Sequence, residues 1–370
     1  MRRFLVRLLT AYLLGIVLSA PARAVEEDGY QLWLRYRPLP AAARERLAQA
    51  VTGITLLSPK TPTLRAASAE LQRGLGGMLG RAAPPLTGPR EGSVVLARAD
   101  ALPAAHEVQT VLRSLGSEGY VVRRTRHNGV QVTLIAANTD IGLLYGSFAW
   151  LRALQASGAA APAGIALASA PRLPLRVLDH WDNLDRSVER GYAGESIWNW
   201  WELPALVDPR YTDYARANAS LGINGAVLNN VNAKAEVLSA PFIAKAAAVA
   251  SALRPYGIRV YLAVRWSTPL ETHETASADP LDAEVAQWWQ RKADDIYAAI
   301  PDFGGFLVKA NSEGQPGPQD YGRTHADGAN LLARALAPHG GSVMWRAFVY
   351  TPPGTLPPPT ASSASSASSA

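Results

Sequence analysis

The sequence predicts an α/β protein in which a small α+β domain precedes a parallel (β/α)8 barrel, with about five βα units visible. Two observations predict this fold. From Arg172 onward, short apolar segments typical of buried strands alternate with longer segments of helical spacing, which is the order that builds a parallel sheet. Each strand candidate also ends in polar or aromatic residues, as barrel strands do at the edge that carries an active site. The regular spacing favours a barrel over a doubly wound sheet.

The first domain is expected over residues 25–166. A hairpin is predicted around Asn128-Gly129, because this dipeptide favours the tight turn between two short strands. Residues 156–166 are rich in small residues and are expected to be a linker. The predicted strands cover residues 30–36, 93–96, 120–124 and 130–135, and the predicted helices cover residues 64–79, 106–115 and 141–154.

The second domain is expected over residues 172–350. Its predicted strands cover residues 175–178, 225–228, 259–264, 306–308 and 342–345, and its predicted helices cover residues 213–221, 242–253, 282–300 and 325–337. A (β/α)8 barrel closes only with eight strands. From Thr351 the sequence changes to Pro, Ala and Ser repeats, which lack the side chains to pack. We therefore expect a barrel truncated after about five βα units and a disordered tail over residues 351–370.

Residues 1–24 have the pattern of a secretory signal peptide. Arg2, Arg3 and Arg7 precede an apolar segment over residues 8–18 that is short for a membrane span, and Ala22-Arg-Ala24 offers a cleavage site. A buried helix or an uncleaved anchor is the alternative interpretation. The pattern predicts a secreted or periplasmic protein with no membrane segment after cleavage.

Charge and cysteine content exclude several classes of function. Residues 1–24 hold four Arg and no acidic residue, so without them the net charge falls from +6 to +2. This small excess gives little reason to expect nucleic acid as a partner. No glycine-rich loop follows the first barrel strand, which argues against a nucleotide site. The chain contains no Cys, which excludes thiol chemistry and cysteine-based metal sites.

One stretch concentrates the polar residues expected of a site. The apolar run at 306–308 ends in Lys309, Glu313 follows four residues later, and a Gly/Pro-rich loop follows that. A strand, charged residues and then a broken loop are typical of an active-site edge in α/β proteins. The alternative is a strand end with a solvated charge pair.

Several long motifs resemble the α-glucuronidases of glycoside hydrolase family 67. The likeness runs from about residue 27 to about Tyr350, and its motifs are residues 27–36, 179–185, 191–197, 224–232 and 306–330. The resemblance implies a hexosaminidase-like N-terminal domain before the barrel. It implies exo-acting removal of (4-O-methyl)glucuronic acid from xylo-oligosaccharides derived from glucuronoxylan, in xylan degradation. It also implies inversion without a metal or other cofactor. Family members are often homodimers, and we expect this assembly to be lost in the truncated chain.

The resemblance also assigns site residues. Glu313 matches the general acid, which must protonate the leaving oxygen. Lys309 and Arg346 match the cations that hold the uronate carboxylate. Trp181 matches a sugar-contacting aromatic residue, and Val231 matches the position that lines the space for the 4-O-methyl group. The alternatives are core packing for Trp181 and Val231, a solvated charge for Lys309 and a structural ion pair for Arg346.

Other polar residues have weaker assignments. His180, His325 and Asp327 could serve in acid–base chemistry, but hydrogen-bonded structural roles are favoured. An inverting enzyme also needs a second carboxylate to activate water, and the resemblance assigns none in this sequence. We therefore expect an α-glucuronidase chain that is inactive or impaired. A non-catalytic uronic-acid-binding protein and an unstable frameshifted fragment are the alternatives.

Overall fold

The computed structural model describes residues 27–157, 164–232, 234–311 and 316–347. Residues 27–35 belong to one unit, and the described residues from Tyr36 onward belong to a separate one. In the first unit, residues 30–33 form a turn in which Leu32 has a φ of 51°, and Arg35 pairs with Glu27 at 3.5 Å. The strand predicted over residues 30–36 is therefore wrong, because left-handed backbone interrupts the extended pattern.

The second unit begins with a five-stranded mixed sheet. Its strands are β1 (Gly53–Leu56), β2 (Ser93–Arg98), β3 (Tyr120–His127), β4 (Val130–Ala137) and β5 (Leu167–Ser169). Their spatial order is β1-β2-β4-β3-β5, with β1, β2 and β4 parallel and β3 antiparallel to both neighbours. The hairpin between β3 and β4 is confirmed. Asn128 and Gly129 have φ values of 49° and 85°, as a two-residue hairpin turn requires.

Four helices accompany this sheet: α1 (Ala41–Ala50), α2 (Pro62–Leu79), α3 (Gln109–Ser114) and α4 (Asp140–Ala156). Helix α2 begins where the Thr61 side chain accepts a hydrogen bond from the backbone N–H of Leu64, and it ends at Gly80 in the left-handed conformation. The sequence predicted α2 and α4 well. It gave α3 too long a span and missed α1, β1 and β5.

The second sheet is fully parallel. Its strands are β6 (Val177–Asp179), β7 (Gly225–Val227), β8 (Arg259–Arg265), β9 (Gly305–Lys309) and β10 (Ser342–Arg346), in the order β10-β9-β8-β7-β6. The connecting helices are α5 (Pro209–Ser220), α6 (Ala240–Leu253), α7 (Thr268–Glu271), α8 (Ala283–Ala299) and α9 (His325–Leu336). The predicted strand–helix alternation is confirmed, and each strand boundary lies within two residues of its predicted position. The sheet is a parallel half-barrel.

The two faces of the second sheet differ in what they pack against. The outer face meets the helices in the largest hydrophobic core, which includes Trp198, Trp200, Trp266, Trp288 and Trp289. The opposite face, called here the inner face, carries a small cluster around Val227, Val231, Tyr261, Ala263 and Leu307. Since side chains alternate along a strand, residues two positions after Ala263 and Leu307 also lie on the inner face.

Two glycines leave space for the Tyr261 ring on the inner face. A Cβ at Gly304 would lie 2.2 Å from the Tyr261 ring, and a Cβ at Gly225 would lie 2.8 Å from it. Tyr261 is 1% exposed. The Tyr261 ring therefore occupies space that the side chain of any larger residue at position 304 would need.

A buried ion pair joins the helices of the two sheets. Glu70 on α2 and Arg216 on α5 form two hydrogen bonds, Nε to Oε2 at 2.6 Å and Nη2 to Oε1 at 2.9 Å. Tyr36 also donates its hydroxyl to Glu70. Both charged residues are almost inaccessible to solvent, so each charge is stabilised by its partner and not by water.

Three expectations about the chain's organisation stay predictions. The predicted first domain ends at residue 166, whereas the first sheet continues to Ser169 through β5 and the second sheet begins at Val177; both sheets belong to the unit that begins at Tyr36. The signal peptide at residues 1–24 and the tail at 351–370 lie outside the described residues. None of the helices that the structure describes between residues 27 and 347 has the length and apolar character needed to cross a bilayer.

Candidate functional site

Three cationic residues end three neighbouring strands in one register. Arg265 on β8 is the register partner of Lys309 on β9, and Lys309 is in turn the partner of Arg346 on β10. Register partners lie on the same face, and neighbouring strands are about 4.8 Å apart, so the three Cα atoms span about 10 Å. These residues form a cation row at the carboxyl end of the inner face, where parallel α/β sheets place their ligands.

Lys309 is fixed inside this row by an asparagine. Its side chain is 7% exposed, and its Nζ donates a hydrogen bond to Oδ1 of Asn232 at 2.6 Å. The backbone oxygen of Asn232 accepts from Nη2 of Arg265, also at 2.6 Å. A solvated charge was the alternative interpretation of Lys309, and its burial argues against it.

Arg265 is a member of the site that the sequence analysis did not assign. Its Nη1 pairs with Oε2 of Glu271 at 2.9 Å, and Ser267 donates its hydroxyl to the other oxygen of Glu271. Glu271 therefore balances much of the charge of Arg265. The sequence signal that could have identified Arg265 was its position at a predicted strand end, the position that Lys309 and Arg346 also have.

Trp181 and Arg346 meet across the mouth of the half-barrel. The guanidinium carbon of Arg346 lies 5.5 Å from the centre of the Trp181 ring. Trp181 follows the edge strand β6, and Arg346 ends the opposite edge strand, β10. Contact between the two edges requires a strongly curved sheet. Trp181 is only partly buried and donates its indole N–H to Asp179 at 3.2 Å, so it is not a core residue.

Asp179 is the carboxylate of this part of the site. Partial desolvation of its carboxyl raises the pKa above the ordinary value, although Asp179 as a residue is exposed. The Trp181 hydrogen bond, Arg346 and His180 act in the opposite direction. Its protonation is therefore coupled to the charge of Arg346, a residue assigned to anion binding.

Val231 lies in a tightly bonded loop after β7. The side chain of Asn229 bonds both the N–H and the C=O of Ala263, and Asn230 accepts from the N–H of Asn232. Val231 itself is 3% exposed within the inner-face cluster. This burial supports the packing interpretation, and its contact with a 4-O-methyl group stays a prediction.

Glu313 lies outside the described residues, which resume at residue 316. Its role as general acid stays a prediction. Strand β9, which precedes it, ends at Lys309 as the sequence predicted.

The three other polar candidates have hydrogen-bonded positions. Nε2 of His180 bonds to the hydroxyl of Tyr214 at 2.7 Å, and the indole of Trp345 donates to Nδ1 of His325 at 3.2 Å. Asp327 caps α9 by accepting from the backbone N–H of Thr324 at 2.8 Å. These contacts confirm that all three are hydrogen-bonded, as the favoured interpretation required.

The arrangement is suited to an anionic sugar. Lys and Arg side chains bind carboxylates by charge-assisted hydrogen bonds, and an aromatic ring offers a surface for the apolar face of a pyranose. Among the residues that the structure describes, no group of three His, Asp or Glu side chains is placed to hold a metal ion.

Two family models match consecutive parts of the chain. The model of the glycosyl hydrolase family 67 N-terminus matches residues 32–150, and the model of the glycosyl hydrolase family 67 middle domain matches residues 156–356. The second match alone covers more than half of the chain.

Curated relatives agree with these matches. A protein of Neosartorya fischeri named probable alpha-glucuronidase A is 40% identical over 336 residues, which are 90% of this chain and 39% of that protein. A protein of Emericella nidulans named alpha-glucuronidase A is 39% identical over 359 residues, 95% of this chain and 40% of that protein. The chain thus spans about two fifths of the length of these relatives.

Among solved structures, a GH138 enzyme targeting pectin rhamnogalacturonan II has a similar fold. It matches with a TM-score of 0.50 and 17% identity, over 78% of this chain and 33% of that protein. At this identity the likeness supports the fold and carries no information about substrate.

Proposed function

This chain belongs to glycosyl hydrolase family 67, and on that premise we propose that it acts as an α-glucuronidase. It recognises a terminal glucuronic acid and takes part in its hydrolytic removal. The single observation that carries the proposal is the cation row, in which buried Lys309 and partly buried Arg346 share a face beside Trp181. A uronic acid differs from its neutral sugar by one carboxylate, and this is the group that the row is built to bind.

The proposed substrate is a (4-O-methyl)glucuronic acid at the end of a xylo-oligosaccharide from glucuronoxylan. Lys309 and Arg346 hold the carboxylate, Trp181 contacts the sugar ring, and Val231 borders the 4-O-methyl group. Glu313 protonates the glycosidic oxygen as the bond to the anomeric carbon breaks, and water adds to that carbon from the opposite face.

Inversion needs a second carboxylate to take the proton from the attacking water, about 6.5–9.5 Å from the first. The family resemblance assigns only Glu313 among these 370 residues. We therefore expect the 370-residue chain to bind the uronic acid and to turn it over slowly. Binding is the property to test first.

Titration calorimetry with glucuronic acid, and with glucose as the neutral comparison, tests this proposal. Lys309→Met keeps most of the side-chain volume and removes the charge. Loss of a charge-assisted hydrogen bond costs about 1.5–3 kcal/mol, so the affinity should fall roughly 10- to 100-fold. Arg291→Ala on α8 is the matched control, since it removes an exposed cation on an outer helix and should change nothing. Equal affinity of the unaltered chain for glucose and glucuronic acid would disprove the proposal.

The same preparations separate an enzyme from a binding protein. Release of glucuronic acid from an aldouronic acid supports hydrolysis. Binding without release at any enzyme concentration supports a non-catalytic uronic-acid-binding protein that uses the same three residues.

Export is the proposed fate of the chain, on the basis of residues 2–24. Sequencing the N-terminus of protein recovered from the periplasm or the medium tests it, with a new terminus expected after Ala24.

A further inference from the structure

A cavity of about 530 Å³ opens beside the cation row. Its lining includes Asn232, which accepts a hydrogen bond from Lys309, and Arg265, the register partner of Lys309. The cavity therefore shares a wall with the proposed uronate site and does not form a separate surface feature. Its volume is within the range of about 300–1,000 Å³ that is usual for small-ligand sites.

Trp201 presents an exposed aromatic ring to this cavity. The ring is 70% exposed, whereas Trp198 and Trp200, on either side of Asn199 just before it, are at most 1% exposed in the outer core. Those two anchors, with buried Leu203, fix the backbone that carries Trp201. An exposed indole lacks the hydrophobic stabilisation that burial would give it. Its position in the wall of a cavity therefore favours a ligand that covers the ring.

The orientation of the Trp201 ring is also constrained. The guanidinium carbon of Arg186 lies 5.6 Å from the ring centre, and Nη2 of Arg186 pairs with Glu195 at 3.3 Å. This cation–π contact favours one orientation of the ring, which lowers the side-chain entropy lost when a ligand stacks on it.

The charges around the cavity point to a neutral ligand. Asp185 and Glu236 oppose Lys234 and Lys245, and the charge of Arg265 is balanced by Glu271. This balance differs from the other end of the cation row, where the cationic residues Lys309 and Arg346 are register partners. A neutral pyranose fits such a wall, with its apolar face on the indole and its hydroxyls toward the polar side chains.

We propose that Trp201 is the stacking platform of a subsite for a neutral sugar unit of the oligosaccharide that bears the uronic acid. The proposal deepens the proposed function and rests on it for the location of the uronic acid. It assigns the cavity to the uncharged part of the substrate and the cation row to the charged part.

The test measures the affinity of the 370-residue chain for three probes: xylotriose, glucuronic acid and an aldotriouronic acid. Trp201→Ala should weaken the binding of xylotriose and of the aldotriouronic acid about 2- to 10-fold, the range of one aromatic stacking contact. It should leave the affinity for glucuronic acid unchanged. Trp201→Phe should recover part of the loss. Lys309→Met should weaken the binding of glucuronic acid and of the aldotriouronic acid and leave the affinity for xylotriose unchanged.

Tyr192→Ala is the matched control, because Tyr192 is 76% exposed and does not line the cavity. The proposal is overturned if the unaltered chain does not bind xylotriose, or if Trp201→Ala binds it as tightly as the unaltered chain does. Failure to bind glucuronic acid, with xylotriose binding that depends on Trp201, would instead refute the proposed function and leave this subsite standing.

Discussion

Replacing Glu70 by Gln tests whether the buried ion pair holds the two sheets together. Glu70 and Arg216 are 2% and 4% exposed, and two hydrogen bonds of 2.6 and 2.9 Å join them. Glu70→Gln keeps the size of the side chain but leaves Arg216 charged in a site without solvent. Removing one partner of a buried pair costs about 3–5 kcal/mol. A protein of ordinary stability has about 5–15 kcal/mol in total, so the loss is large.

Urea denaturation followed by tryptophan fluorescence measures the free energy of unfolding. The matched control is Asp302→Asn, because Asp302 and Arg254 are also 2.6 Å apart but are 31% and 42% exposed. An exposed pair contributes at most about 1 kcal/mol. The double variant Glu70→Leu with Arg216→Leu should recover most of the loss, since both charges leave together. If Glu70→Gln costs no more than Asp302→Asn, the reasoning is refuted.

Two further predictions concern the inner face. Gly304→Ala should lower the free energy of unfolding by about 1–3 kcal/mol, because the new Cβ would overlap the Tyr261 ring. Gly88→Ala is the control. Nothing lies within 4 Å of its new Cβ, so it should be nearly neutral in the same urea titration. Affinity for glucuronic acid should fall as the pH rises through the raised pKa of the Asp179 carboxyl, because the ionised carboxylate competes with the ligand for Arg346. Asp179→Asn should flatten this profile in calorimetry, and an unchanged slope would contradict the assignment.

Local structure followed closely from local sequence. Asn128-Gly129 produced the predicted hairpin because both residues tolerate a positive φ. Gly80 ended α2 for the same reason. The turn at residues 30–33 was missed because alternation of apolar and polar residues does not exclude left-handed backbone at Leu32.

Part of the site followed from strand order. Lys309 and Arg346 were assigned through the family resemblance, and strand-end position supported them, because parallel strands bring their carboxyl ends to one edge. Arg265 satisfied the same positional rule without being assigned. Its partner Asn232 could not be identified from spacing, since Asn232 lies 33 residues before it.

From its residues alone, the chain specified its family, its strand–helix alternation and the residues that end each strand. These properties depend on neighbours within a few positions, which is why a linear pattern contains them. The contact between Trp181 and Arg346 depends instead on the curvature of a five-stranded sheet. The difference between exposed Trp201 and buried Trp198 and Trp200 depends on which side of one short segment faces the core. Both are set by contacts between residues far apart in sequence, and local pattern is not sensitive to them.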